Sequence, residues 1–242
     1  MKQELQFFEN IIYNEKYFSA EKSEEAVLML HGYPSPEGKN EYIAEFISSY
    51  LKKDVFLIHY AGLGKSNLNF SFPKSIEDSI NYFNCLNEIK KYKSFYLIGH
   101  SWGGLIALNI IKHVNTNNIK SVLLLSPYTY FPSGCDLNQL IQLVYNESKE
   151  FFRGSYAEMA NQVQEIILHY QPQLFLDKLK SFTGVINIIQ AANDIEVLPS
   201  NTKLFFDSLS NRASYFEINC DHGFNQNRED LLLLIHDLLG KS

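Results

Sequence analysis

Two apolar patterns alternate along the 242-residue chain. Short, predominantly apolar runs recur at residues 26–30, 54–60, 94–98, 121–125, 185–190 and 215–219. Runs of this kind mark strands covered on both faces, as in a parallel sheet. Between them, apolar residues return every three or four positions: Tyr42, Ile43, Phe46, Ile47, Tyr50 and Leu51, then Ile76, Ile80, Phe83, Leu86 and Ile89, then residues 105–114, and finally residues 231–239 before Gly240. That spacing predicts helices with one face toward a core. Pro73 with Ser75, and Pro199 with Ser200, open two of the helices. Strands alternating with amphipathic helices through short connections predict an α/β fold, a mostly parallel twisted sheet with helices on both faces. At the start, residues 5–8 and 11–18 read as short strands around a Glu9-Asn10 turn, an antiparallel beginning to the sheet.

From about residue 128 to 182 the alternation stops. Leu137, Leu140, Ile141, Val144 and Tyr145 form one helical stripe, and Ser155 with Glu158 makes a capping box for a second, with Met159, Val163, Ile166, Ile167 and Tyr170. The expectation is a single domain with a helical insertion over about 128–182. At the carboxyl edge of the sheet such an insertion would roof the site as a lid. The competing expectation is that these helices only enlarge the core. At 45% apolar and 20% charged, one domain of this length has ample residues for a large core.

Charge and cysteine usage narrow the function classes. The net charge of -6 is scattered, with no basic stripe that would track phosphates, so nucleic acid is not expected as a partner. Cys85, Cys135 and Cys220 are far apart and form no metal- or redox-type pair, which suits thiols in a reducing compartment. Residues 1–10 carry Lys2, Glu4 and Glu9 and no apolar stretch fit for a signal peptide, and no segment has the length of a membrane span. A cytoplasmic protein acting on a small molecule is the expectation.

The candidate chemistry begins at Gly99-His100-Ser101-Trp102-Gly103-Gly104, directly after one predicted strand and before a helix. Strand, sharp turn and helix are the context in which Gly-x-Ser-x-Gly presents a nucleophilic serine. A side chain two positions to either side of Ser101 would collide with facing backbone, and the helix beyond turns free N–H groups toward the same spot. Residues 61–66 contain Gly62 and Gly64, yet His59 and Asn67 stand where a phosphate-binding loop needs further glycines, so this is a structural turn.

A serine hydroxyl needs a base, and the base needs an orienting group. His222 follows the last predicted strand, and Asp194 follows the strand before it. Serine, acid and histidine then emerge at one edge of one sheet, in that order along the chain. The other histidines have milder readings: His31 and His59 border strands, His100 lies within the turn, and His113, His169 and His236 fall in helices. For the acid, Glu196 competes with Asp194, while Asp221, adjacent to His222 on an extended segment, points away from it.

These residues resemble the α/β-hydrolase superfamily over essentially the whole chain. His31-Gly32-Tyr33-Pro34 looks like its oxyanion loop, Gly62-Leu63-Gly64-Lys65-Ser66 its glycine turn, and residues 99–104 its nucleophile elbow. Asp194 with Val197 and Pro199, and Asp221-His222-Gly223-Phe224, look like its acid and base motifs. Serine at the nucleophile position departs from the epoxide-hydrolase and dehalogenase branches, and Tyr33 after Gly32 departs from the proline iminopeptidases and hormone-sensitive-lipase relatives. The resemblance implies acyl transfer to water through Ser101, His222 and Asp194, with the backbone N–H groups of Tyr33 and Trp102 as the oxyanion hole, and without metal or organic cofactor. Tyr128, Tyr130 and Phe131, with Trp102, favour a small apolar acyl or aryl group. An esterase is the first expectation, with thioesterase, aminopeptidase or carbon-carbon hydrolase as variants. A small-ligand receptor on the same scaffold is the reading from another class.

Overall fold

The computed structural model describes residues 12–20, 23–34, 40–63, 68–129, 137–150, 152–210 and 212–240. The proposed strand at 5–8 and its Glu9-Asn10 turn lie outside them. Seven strands, β1 (Ile12–Phe18), β2 (Glu25–Leu30), β3 (Asp54–Tyr60), β4 (Ser94–His100), β5 (Ile119–Leu125), β6 (Val185–Ala191) and β7 (Ala213–Ile218), form one sheet in the spatial order 1-3-2-4-5-6-7. β1 runs antiparallel to β3, and every other neighbouring pair is parallel. The last strand starts and ends earlier than the 215–219 run predicts, which moves Asn219 into the following loop.

Among the described residues eight α-helices lie between or after the strands: α1 (Glu41–Phe46), α2 (Phe72–Lys90), α3 (Trp102–His113), α4 (Leu137–Glu147), α5 (Tyr156–His169), α6 (Leu176–Lys180), α7 (Pro199–Ser208) and α8 (Arg228–Leu239). The period-2 geometry of a strand sends successive side chains to opposite faces, and the two faces acquire separate cores. Ala26, Leu28 and Leu30 pack with Ile76 and Phe83 of α2 and Leu105 and Ile106 of α3. Val27 and Met29 pack on the other side with Ile43 of α1 and Leu231, Ile235 and Leu239 of α8. Every residue of β4 is buried, as expected for a strand with neighbours and helices on all sides. Each such Leu or Ile contributes roughly 1.5–3 kcal/mol relative to exposure. The stripe on α2 ends one turn sooner than its spacing predicts: Leu86 is buried, but Ile89 is 46% exposed in the last turn.

The segment between β5 and β6 holds α4, α5 and α6. α5 opens with the predicted capping box, Glu158 N donating to Ser155 Oγ at 3.2 Å and Ser155 N to Glu158 Oε2 at 2.6 Å. Met159, Val163 and Ile166 belong to the same core cluster as Leu105 and Ile106. Asn109 Nδ2 and Lys112 Nζ, both on α3, donate to the carbonyls of Tyr170 and His169 at 2.9 and 2.8 Å. These carbonyls at the end of α5 have no intrahelical donor, so the two bonds satisfy them while tying the inserted helices to the body. Among the described residues no helix is long and apolar enough to cross a membrane.

Candidate active site

The turn between β4 and α3 carries the site. Ser101 has φ 53° and ψ -117°, a strained conformation for a residue with a side chain. Three hydrogen bonds over-determine it: Ser101 N donates to Leu125 O, and Ser101 O accepts from Gly104 N and Tyr128 N, all at 2.9 Å. The flanking glycines answer the steric expectation. A Cβ on Gly99 would stand 2.4 Å from Gly103 O, and one on Gly103 would stand 2.0 Å from Leu30 O. The amides of Trp102 and Gly103 at the start of α3 have no preceding turn to supply acceptors and form the positive end of the helix.

The loop after β2 runs against this turn, close enough that a Cβ on Gly32 would be 3.0 Å from Ser101 Cβ. His31 anchors it from below. Its Nδ1–H donates to Gly32 O at 2.6 Å, and its main-chain carbonyl accepts from Tyr60 OH at 2.8 Å. Burial, with His59 and His100 adding to it against the opposing Gly32 carbonyl, pushes the His31 ring down to about 3, so it stays neutral. In a trans peptide C=O and N–H point in opposite directions, so holding Gly32 O also fixes the direction of the Tyr33 N–H. The Tyr33 ring stacks on Phe70 at 4.6 Å, and Phe72 packs edge-on to Trp102 at 4.8 Å. Trp102 Nε1 donates to Ser75 Oγ at 3.0 Å, which removes the indole's polar cost of burial. Tyr128 lies 6.4 Å from the Trp102 ring. Tyr130 and Phe131 lie outside the described residues, as do Gly64, Lys65, Ser66 and Cys135.

His222 and Asp194 come together from the loops after β7 and β6. His222 Nδ1 donates to Asp194 Oδ2 at 2.6 Å, with both groups buried. The other carboxylate oxygen, Oδ1, accepts from Glu196 N at 2.9 Å and Val197 N at 2.8 Å. Burial alone would raise the Asp194 carboxyl, but the hydrogen bond and charge of His222, the Val197 N–H and the Ser126 hydroxyl outweigh it, and the group is held below its ordinary value. His100 ties His222 to the β4–α3 turn: its Nε2 meets His222 O at 2.8 Å and the two rings lie 4.9 Å apart. No hydrogen bond joins Ser101 Oγ to His222 in this structure; in free enzymes such bonds are commonly long and tighten with substrate.

Gln190 escapes sequence reasoning. Fully buried at the end of β6, it donates through Nε2 to Val197 O at 3.2 Å and Asp194 Oδ2 at 3.4 Å, bracing the acid loop. A glutamine closing a largely apolar run, which also holds Asn187, was the available signal. Glu196, considered as a rival acid, does not meet Nδ1. Its carboxylate lies 3.6 Å from the opposite ring nitrogen, Nε2. Asp221 turns away as expected, accepting from Asn225 N at 3.1 Å.

Residues 25–236 match the family described as alpha/beta hydrolase fold. No curated protein sequence matches the chain significantly. Among solved structures, a lipase-esterase related protein from Clostridium acetobutylicum superposes with TM-score 0.69 at 17% identity, covering 94% of this chain and 99% of that one. A monoacylglycerol lipase from Paleococcus ferrophilus gives TM-score 0.68 at 15% identity, with 94% and 98% covered. A thermophilic esterase from Thermogutta terrifontis gives 0.68 at 14%, with 94% and 93% covered. At these identities the structures speak for the fold, while the family match spans most of the sequence, with Ser101, Asp194 and His222 inside it. The chain belongs to the α/β-hydrolase fold family.

Proposed function

We propose that this protein is a serine hydrolase that cleaves a carboxylic ester, or a related acyl bond, of a small and largely apolar substrate through an acyl-enzyme at Ser101. The observation that carries the reading is the buried 2.6 Å contact between His222 Nδ1 and Asp194, set beside the strained turn that presents Ser101. With the proton on Nδ1, Nε2 is free to accept one. Ser101 Oγ attacks the substrate carbonyl carbon as Nε2 takes its proton, and the oxyanion settles between the N–H groups of Tyr33 and Trp102, each worth roughly 3 kcal/mol. Collapse breaks the bond to the leaving group, which departs with the proton from Nε2. A water molecule then repeats the sequence, releasing the acid and restoring Ser101. The aromatic groups of Trp102 and Tyr128 supply an apolar wall for the acyl chain, and α4–α6 serve as the lid. The likeness to a monoacylglycerol lipase and to an esterase favours an ester over an amide.

Ser101→Ala should abolish hydrolysis of p-nitrophenyl butyrate and labelling by a fluorophosphonate probe. Labelling that survives in the alanine variant would remove Ser101 from the role. Tight binding of esters without turnover by the unmodified protein would replace the enzyme with a receptor.

A further inference from the structure

The two carboxylates that meet the imidazole stand in different positions. Asp194 is 3% exposed and accepts hydrogen bonds from His222, the Glu196 and Val197 amides and Gln190, so its charge faces the ring and the loop amides. Glu196 lies on the opposite side, 3.6 Å from Nε2, with 66% of its side chain open to solvent. Its own main-chain N–H is pinned to Asp194, which confines the side chain to the rim around the histidine. The nearby Asp221 carboxylate is engaged by Asn225.

On the hydrolase reading above, Nε2 is the atom that delivers a proton to the leaving group. The leaving heteroatom must therefore come within about 3 Å of it, and the substituents behind that atom pass beside Glu196. The geometry points to Glu196 as a charge selector for the leaving group: substrates whose leaving group is cationic are favoured, and those whose leaving group is anionic are disfavoured. Unit charges separated by about 6 Å at a wet protein rim interact strongly enough to change rates about three- to tenfold. Salt should erode the effect, because the screening length falls from about 10 Å at 0.1 M to about 3 Å at 1 M.

The test uses three butyrate esters: of choline, of its neutral isostere 3,3-dimethylbutanol, and of 3-hydroxypropanoate. Values of kcat/KM are measured for the unmodified chain, Glu196→Gln and Glu196→Lys, with concentrations set by fluorophosphonate titration. Taking ratios to the neutral ester cancels general effects on the site. The choline ratio should fall about three- to tenfold in Glu196→Gln and further in Glu196→Lys, while the anionic ratio rises. Both changes should shrink in 1 M salt (on the order of one screening length of 3 Å). Ratios that stay within about twofold in both variants overturn the selector while leaving the hydrolase standing. Absence of turnover on all three esters by the unmodified chain overturns the ester-hydrolase reading and the selector with it.

Discussion

Replacing Asp194 by asparagine preserves shape and inverts one hydrogen-bonding group, and its outcome can be worked out from the contacts. The carboxylate faces donors on both oxygens: two loop amides at 2.9 and 2.8 Å on Oδ1, and on Oδ2 the imidazole at 2.6 Å and, more weakly, Gln190 Nε2 at 3.4 Å. Asparagine has one acceptor oxygen, and the side with two backbone donors claims it, because the reverse orientation would set its NH2 against both. The NH2 then faces His222 Nδ1 and can be accommodated only if that nitrogen becomes the acceptor. The ring proton moves to Nε2, the wrong tautomer for taking a proton from Ser101. In addition, the imidazolium formed during attack loses its buried counter-charge. The expected loss in kcat is on the order of 10³ to 10⁴, or roughly 4–5.5 kcal/mol. The amide still satisfies the loop, so stability should fall by only about 1–2 kcal/mol. Steady-state kinetics on p-nitrophenyl butyrate, with a thermal melt by circular dichroism as the folding control, measures both. A variant that folds and keeps its kcat within about tenfold of the unmodified chain would refute the assignment of Asp194 as the orienting acid.

Acid stability tests the anchoring histidine. The folded state holds His31 neutral down to about 3, whereas in the unfolded chain the ring gains a proton near 6.5. Its contribution is therefore complete above about pH 6.5 and is lost progressively as pH falls toward 3, by about 1.4 kcal/mol per unit. Urea unfolding at pH 7 and pH 4.5 should differ by roughly 2–3 kcal/mol from this ring, and His31→Gln should flatten that slope; an identical slope in the variant argues against the assignment. Asp194 acts at lower pH: its carboxyl is held below the ordinary value, so its contribution is present at neutral pH and lost as pH drops through the folded value. Gly103→Ala sets a Cβ 2.0 Å from Leu30 O, a backbone atom that cannot swing aside. A destabilisation above about 4 kcal/mol, seen as a fall in Tm of on the order of 10 °C, is expected, and an unchanged melt would show that the elbow does not press on β2.

The sheet was legible because a parallel strand is buried on both faces and must be largely apolar, a demand local enough to show in residues 94–98 or 185–190. The elbow was legible for a steric reason that is also local, since Gly99 and Gly103 lie within four positions of one another and face each other across one turn. Boundaries shifted where local pattern no longer decides, as at the last turn of α2, where Ile89 continues the helical spacing yet faces water. Which of Asp194 and Glu196 meets His222 Nδ1 belonged to the tertiary structure. Two residues apart, they differ in how the loop after β6 turns back. Folding Asp194 onto the amides of residues 196 and 197 directs it to Nδ1 and carries Glu196 past the ring to Nε2. The same holds for His100 and Gln190, whose work is to brace His222 and Asp194. Periodicity along a chain reports whether a residue is buried. It does not report which group meets it there, and His100 meets the carbonyl of a residue 122 positions away only because β4 and the loop after β7 end at the same edge of the sheet.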